Sequence, residues 1–261
     1  MFGEVAVQYD RARPDYPAEL FADVLEFAGF GAHDRVLEVG AGTGKATVGF
    51  VGAGAEVVAL EPSAEMADVA RARFAGDDVA DVVVLEHSFE DWGLESGSFA
   101  VVAAAQSWHW VDPSTRLAKA RAALRAGGAI ALFWNQPRYP NVELRLAINA
   151  VYQEIAPNMD GRFASGGPRV SDGQELAIVE LGGSKLFVDF EVREYHRNVS
   201  YDRAAYLDLL GTHSDHRLLD GASRDRLLER VGALIDAAGG IAVDYRTTLA
   251  LARRAVGRDA G

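Results

Sequence analysis

The segment VLEVGAGTGKAT, residues 36–47, decides how the rest of the chain is read. Its first four residues are a short run of Val and Leu carrying one acid, Glu38, and they lead directly into Gly40, Gly42 and Gly44 at alternate positions, followed by a helix-forming stretch. Strand, glycine turn and helix in that order bring backbone N–H groups close to a ligand at the helix N-terminus, where a phosphate or carboxylate is favoured. A nucleotide-like cofactor is the expectation.

The spacing bears on which cofactor it is. A dinucleotide-binding turn follows G-x-G-x-x-G, and counted from Gly40 the third glycine position holds Lys45. Glu38 would also set a carboxylate beside a pyrophosphate, which it repels, whereas it attracts the ammonium of an amino-acid moiety. These two features favour S-adenosylmethionine over a nicotinamide dinucleotide. The next apolar run, EVVAL (56–60), ends at Glu61, where an acid can accept both hydroxyls of a ribose. Either cofactor has such a ribose, so Glu61 marks a nucleoside without choosing between them.

Upstream of the turn, PAELFADVLEFA (17–28) opens with Pro at a first helical position and stops at Gly29. Downstream, helical and strand patterns alternate at short intervals as far as residue 134. A helix over 45–52 precedes the 56–60 strand, and Ser63 then caps a helix in which Met66, Val69, Ala70 and Phe74 recur at helical spacing. VVVL (82–85) and FAVVAAA (99–105) follow, apolar enough for strands covered on both faces. Asp112 and Pro113 are expected to open a helix running to Arg125, with Gly127 and Gly128 closing it before the strand AIALFW (129–134). Residues 1–134 therefore read as a cofactor-binding α/β core.

Pro137, Pro140, Pro157 and the GGP at 166–168 break this rhythm, so 135–185 is expected to be an inserted cap with short helices near 141–156 and 173–181. Residues 186–261 then complete the sheet and the substrate pocket. Strands at 185–196 and 243–254 are expected to pair antiparallel at a sheet edge, with helices near 201–210 and 222–238 between them.

Composition sets outer bounds. The chain has 261 residues, 49% hydrophobic and 25% charged, which supplies a sizeable core and excludes disordered and fibrous classes. Acidic residues outnumber basic ones by 38 to 26, and the resulting charge of -12 repels phosphate backbones and anionic lipid. Nucleic acid and membrane are accordingly not expected as partners. The longest apolar run, Phe99 to Ala105, falls far short of the roughly 18 residues a bilayer span requires. Residues 1–17 carry Glu4, Asp10 and Asp15 and lack the apolar centre of a signal peptide. With no cysteine, disulfides, thiolate nucleophiles and zinc ribbons are excluded together, and a cytoplasmic location is the expectation.

YDRARPDYP (9–17), VLEVGAGTGKAT, VVALEPSAEM (57–66), HSFEDW (87–92), AAAQSWHWVDP (103–113), LRAGGAIALFWN (124–135), GTHSDHRLL (211–219) and TLALARR (248–254) occur in this order. In them the sequence resembles the class I S-adenosylmethionine-dependent methyltransferases, and in particular the bacterial small-molecule group of trans-aconitate methyltransferase-like proteins. The resemblance implies a Rossmann-like, doubly wound seven-stranded sheet, mostly parallel with an antiparallel edge strand, a helical cap, and the cofactor across the strand C-terminal ends. It implies further that Gly40, Gly42 and Gly44 approach the methionine part, Glu61 holds the ribose, Met66 packs on adenine and Phe89 closes its edge. The family often carries an acid where this chain has Ser88, which leaves the adenine amino contact to Glu90 or a backbone carbonyl. Tyr9, Arg13 and Tyr16 would fold over the methionine end, with Arg13 facing the cofactor carboxylate; alternatively, Tyr16 and Pro17 simply start a helix.

The remaining chemistry lies at QSWHW (106–110), where the fourth strand leaves the sheet. Gln106 could line the methionine moiety, and His109 is the best-placed titratable group. His109 reads either as a base or substrate contact or as a structural residue under the cap. Trp108 is the expected pocket wall, and Trp110 the expected core residue. His213 and His216, in the run His213-Ser214-Asp215-His216, suggest a second wall of the substrate pocket; the run lacks a separated third ligand, so no metal site is expected. Tyr139, Tyr152, Arg162 and Phe163 fall in the irregular cap, where specificity resides. Methyl transfer to a small organic acceptor, on oxygen before carbon or nitrogen, is the leading expectation. A nicotinamide-dependent oxidoreductase and a cofactor-binding protein without transfer are the alternatives. No Asn/Asp-Pro-Pro-Tyr tetrad follows the fourth strand, which argues against methylation of exocyclic amines in DNA.

Overall fold

In the computed structural model the described residues are 6–76, 81–159 and 172–255. The chain opens with α1 (Ala6–Ala12) and α2 (Ala18–Phe27), then alternates β1 (Arg35–Val39), α3 (Lys45–Gly52), β2 (Glu56–Leu60), α4 (Ala64–Arg73) and β3 (Val82–Leu85). β4 (Phe99–Ala105) is followed by a 3-10 turn at Trp108–Trp110, α5 (Arg116–Ala123) and β5 (Leu124–Arg138). Next come α6 (Val142–Ile155), α7 (Asp172–Gly183), β6 (Phe187–Tyr201), α8 (Arg203–Gly211), α9 (Ser214–Arg217), α10 (Gly221–Ala237) and β7 (Ile241–Arg254).

The strands form one Rossmann-like sheet in the order β3-β2-β1-β4-β5-β7-β6. β3, β2, β1, β4 and β5 pair in parallel, and β7 runs antiparallel to both β5 and β6. The antiparallel strand thus lies at one end of the sheet, one position in from β6. Parallel strands demand apolar side chains on both faces, which is what the Val, Leu and Ala runs of β1, β2 and β4 supply. On one face Leu37, Leu60, Val102, Leu132 and Trp134 pack with Leu117 of α5 and with Ala177 and Leu181 of α7. On the other, Val36, Ala59, Ala103 and Phe133 meet Leu20 and Phe21 of α2 and Phe50 of α3. A third cluster joins α6, α8 and α10 to Ile241, Val243 and Tyr245 at the start of β7.

Several expectations shift. β3 is an edge strand with Val83 half exposed, so its continuous apolar run does not signify cover on both faces. α5 starts at Arg116, behind a turn headed by Asp112, whose carboxylate accepts from the Ser114 N–H and the Thr115 hydroxyl and whose carbonyl accepts from the Arg116 N–H. β5 runs on to Arg138 since β7 offers it a ladder of partners from Ala129 to that residue, Pro137 included. The expected 135–185 cap divides: α6 joins the third cluster, whereas α7 lies on the sheet. Arg162, Phe163 and the GGP at 166–168 fall outside the described residues. Among the described residues no helix is long and apolar enough to cross a membrane.

Phe133 is fully buried at the centre of edge-on ring contacts with Tyr16, Phe21 and Phe50, at centroid distances of 4.9, 6.2 and 6.4 Å. Phe133→Ala should lower unfolding free energy by about 3–5 kcal/mol in chemical denaturation. Val83→Ala, on the exposed side of β3, should change it by less than about 1 kcal/mol.

Candidate functional site

Two adjoining cavities open at the C-terminal ends of β1, β2 and β4. One, of about 350 Å³, is walled by Glu61, Ser63, Met66, Ser88, Phe89 and Glu90. The other, of about 370 Å³, is walled by Arg13, Glu38, Tyr139, Tyr206, His213 and Tyr245 among others. Tyr9, Gly40, Gly42, Ala105, Gln106 and Trp110 belong to both. Ligands of open α/β sheets bind at this end, where the helices following the strands leave a crevice.

The glycines of the first turn have separate reasons to be there. Gly40 sits at φ +68°, and a Cβ on it would meet the Ser107 Cβ at 2.5 Å. The turn is held there by the Ser107 hydroxyl, which donates to the Val39 carbonyl at 2.5 Å. Gly42, at φ +60°, would point a Cβ into open space and lines both cavities, so its backbone is what a ligand meets. Gly44 lines neither cavity. It is the left-handed N-cap of α3, and its hydrogen faces the Phe74 ring, so the third glycine serves packing rather than the expected contact with the methionine part.

Two acids lie below these turns. Glu38, fully buried near the end of β1, is flanked in register by Ala59 and Ala103, whose small side chains leave room for it. Its Oε2 accepts from the Thr47 hydroxyl at 2.6 Å, and its Oε1 is buried without a partner. Burial pushes the Glu38 pKa up to about 8, with the Thr47 hydrogen bond opposing and the nearby Glu61 reinforcing the shift. Glu61, just past β2, accepts from the Gly42 N–H at 2.8 Å and from the Ser63 N–H at 2.9 Å. Burial raises its pKa as well, and those two N–H groups act against the rise. Ser63 also caps α4, accepting from the Met66 N–H, which sets Met66 in the same wall.

α1 lies along the two cavities and is tied down at several points. Asp10 pairs with Arg73 and accepts from the Thr43 hydroxyl at 2.7 Å. Arg13 donates to the Thr212 hydroxyl at 2.9 Å and to His213 Nδ1 at 3.1 Å, and its guanidinium sits 5.0 Å from the Tyr9 ring centre. Because arginine only donates, His213 Nδ1 accepts and its neutral ring carries the proton on Nε2. Gln106 adopts a left-handed backbone at φ +63°, and its amide donates to the Asn135 carbonyl at 3.1 Å.

Tyr9, Arg13, Glu38, Gly40, Gly42, Glu61, Met66, Phe89, Gln106, Tyr139 and His213 therefore converge on the two cavities. Gly44, Trp108, His109 and His216 do not. Trp108 is fully buried in the core, under the Arg116 guanidinium at 5.6 Å, while Trp110, expected in the core, is 74% exposed at the cavity rims. The two tryptophans exchange their expected places because the 3-10 turn advances about 120° per residue, so side chains two apart leave it in different directions, Trp108 into the core and Trp110 outward. His109 packs against Gly173 of α7, away from both cavities, and burial followed by the Arg116 charge lowers its pKa. His216 is buried on the Tyr152 hydroxyl at 2.6 Å and on Asp215, a structural bond within the third cluster. Tyr206, Tyr245 and Thr212 went unseen in the sequence because they punctuate apolar stripes of elements distant from the glycine turn.

Among the described residues no group of three or more His, Asp or Glu is placed to hold a metal ion. The chemistry of the walls fits S-adenosylmethionine. Glu38 offers an unpartnered buried oxygen to an ammonium, Glu61 a fixed carboxylate to a diol, and Met66 and Phe89 apolar surface to a purine.

Residues 36–128 match the methyltransferase domain family. An uncharacterised methyltransferase of Mycobacterium tuberculosis is 40% identical over 134 residues, 51% of this chain and 51% of that protein. The chain thus spans about half the length of the curated relatives it matches. A candidate type II methyltransferase from Anaeromyxobacter dehalogenans superposes with a TM-score of 0.69 at 24% identity, covering 92% of this chain and 97% of that one. Phosphoethanolamine N-methyltransferase 2 of Haemonchus contortus, solved with phosphomonomethylethanolamine and S-adenosylhomocysteine, superposes at 0.54 and 14% identity over 97% of this chain and 57% of that one. At these identities the structural likeness is one of fold. Residues 36–128 are thus similar to the methyltransferase domain family, and the chain as a whole has the Rossmann-like fold of the solved proteins on which it superposes.

Proposed function

We propose that the protein binds S-adenosylmethionine across the two cavities and transfers its methyl group to a small organic acceptor in the larger one, to oxygen in preference to carbon or nitrogen. The observation that carries this reading is the pair of buried acids, one partnerless on Glu38 Oε1 and one fixed by two backbone N–H groups at Glu61. When bound, the cofactor would supply an electrophilic methyl group on a sulfonium. Glu61 would accept the ribose hydroxyls, Met66 and Phe89 would flank adenine, and Glu38 and Arg13 would hold the ammonium and carboxylate of the methionine part.

The chain's remaining contribution is alignment. Holding donor and acceptor in line is worth on the order of 7–11 kcal/mol in favourable systems. Basic help is scarce in the larger cavity: burial keeps the Tyr16, Tyr206 and Tyr245 phenols protonated, and Arg13 occupies the His213 Nδ1 lone pair. An acceptor that arrives ionised, such as an acidic hydroxyl, needs no base from these walls. His109 has no part in this reading.

Glu61→Ala should weaken S-adenosylhomocysteine binding by about tenfold or more in calorimetry, since charged hydrogen bonds contribute about 1.5–3 kcal/mol each. Unchanged affinity in the folded variant would remove the ribose role.

Glu38 becomes ionised only as pH approaches 8, and pairing with an ammonium requires the ionised form. Affinity for S-adenosylmethionine should accordingly rise from pH 6 towards pH 8 in the wild type and stay nearly flat in Glu38→Gln. The same shift carries a stability cost. Below the ordinary carboxylate range Glu38 is protonated in both folded and unfolded chains. From there up to about pH 8 the unfolded chain binds fewer protons, so stability is lost as pH rises. Thermal melts should therefore place Glu38→Gln above the wild type at pH 8 by at least about 2 °C, with a smaller gap at pH 5.

A further inference from the structure

A methyl group leaving the smaller cavity for the larger must cross where the two share walls. The shared residues are Tyr9, Gly40, Gly42, Ala105, Gln106 and Trp110. Of these only Tyr9, Gln106 and Trp110 have side chains larger than a methyl group. The Gln106 amide is engaged by the Asn135 carbonyl, and the Tyr9 ring lies beneath the Arg13 guanidinium. Trp110 is different. Its indole is 74% exposed, touching the His109 ring at a centroid distance of 5.0 Å.

Its exposure is built in by the backbone. Trp108, two residues earlier, is locked in the core by Arg116, which donates to the Trp108 carbonyl at 2.8 Å. The Ser107 hydroxyl pins the start of the turn to the end of β1, and the Trp110 N–H closes it on the Ser107 carbonyl at 2.9 Å. A rigid turn thus holds a large apolar ring at the mouth of both cavities, where covering it with a ligand gains apolar burial. An indole face is also the aromatic surface that best stabilises a cation.

We propose that Trp110 is the aromatic wall of the methyl-transfer point, laid against the sulfonium end of the cofactor and against the acceptor beside it. This rests on the functional reading above and adds a residue to it. The wall favours the positively charged donor over its neutral thioether product, which helps the product leave, and it shields the reacting methyl group from water.

The test uses S-adenosylmethionine and S-adenosylhomocysteine themselves, with no acceptor needed. Trp92, Trp108 and Trp134 are buried, so acrylamide quenching of tryptophan emission reports chiefly on Trp110. Binding of either ligand, monitored separately by calorimetry, should lower the quenching constant at least about twofold. Trp110→Ala should weaken S-adenosylmethionine about fivefold more than S-adenosylhomocysteine, a difference of the size expected for one cation–aromatic contact, and Trp110→Phe should restore most of it. Unchanged quenching at saturation, or equal losses for both ligands in Trp110→Ala, overturns this inference and leaves the functional reading standing. Failure of both ligands to bind the wild type overturns the two together.

Discussion

Two carboxylates buried at the ends of neighbouring parallel strands are the constraint around which this structure is arranged. A carboxylate taken out of water is costly unless something answers its charge, and the two solve the problem differently. Glu61 is answered from within the chain, by the N–H of Gly42 in the first turn and of Ser63 at the head of α4. Glu38 is answered only in part, by Thr47 of α3, and resists ionisation up to about pH 8. The bond between Glu61 and Gly42 ties the second strand end to the first turn, so the site and the local fold are fixed by the same contact. The second Glu38 oxygen is buried without a hydrogen-bond partner.

The larger cavity depends on parts of the chain far apart in sequence. α1 brings Tyr9 and Arg13 from the N-terminus, the end of β5 brings Pro137 and, beyond it, Tyr139, and α8 and β7 bring Tyr206 and Tyr245. These elements are held by the third apolar cluster, which is separate from the two that sandwich the sheet. The smaller cavity is built almost wholly from the strand ends and loops of the core. The two cavities are thus carried largely by different parts of the fold and meet at a seam lined by Tyr9, Gln106 and Trp110.

What could be read from sequence follows this division. The glycine turn, both acids, Ser63 and Met66 are consecutive features of strand-turn-helix units, where the chemistry of a position follows from its local neighbours. The strands and most helices were legible for the same reason. Trp108 and Trp110 were not, since a tryptophan two residues along a 3-10 turn switches between core and rim with no change in composition. His109 is a similar case: its neighbour is Gly173, which sits on a helix that sequence placed in a cap and that packs on the sheet instead. Gly44 is identical in pattern to Gly42, yet it faces Phe74 while Gly42 faces open space, and only the packing tells them apart.

Whether the two acids cup an amino-acid-bearing nucleoside is decided by a crystal structure of the protein with S-adenosylhomocysteine. Both ribose hydroxyls should lie on the Glu61 carboxylate and the amino group on the side of Glu38. A ligand bound with its ribose away from Glu61, or with its amino-acid end away from Glu38, would contradict it.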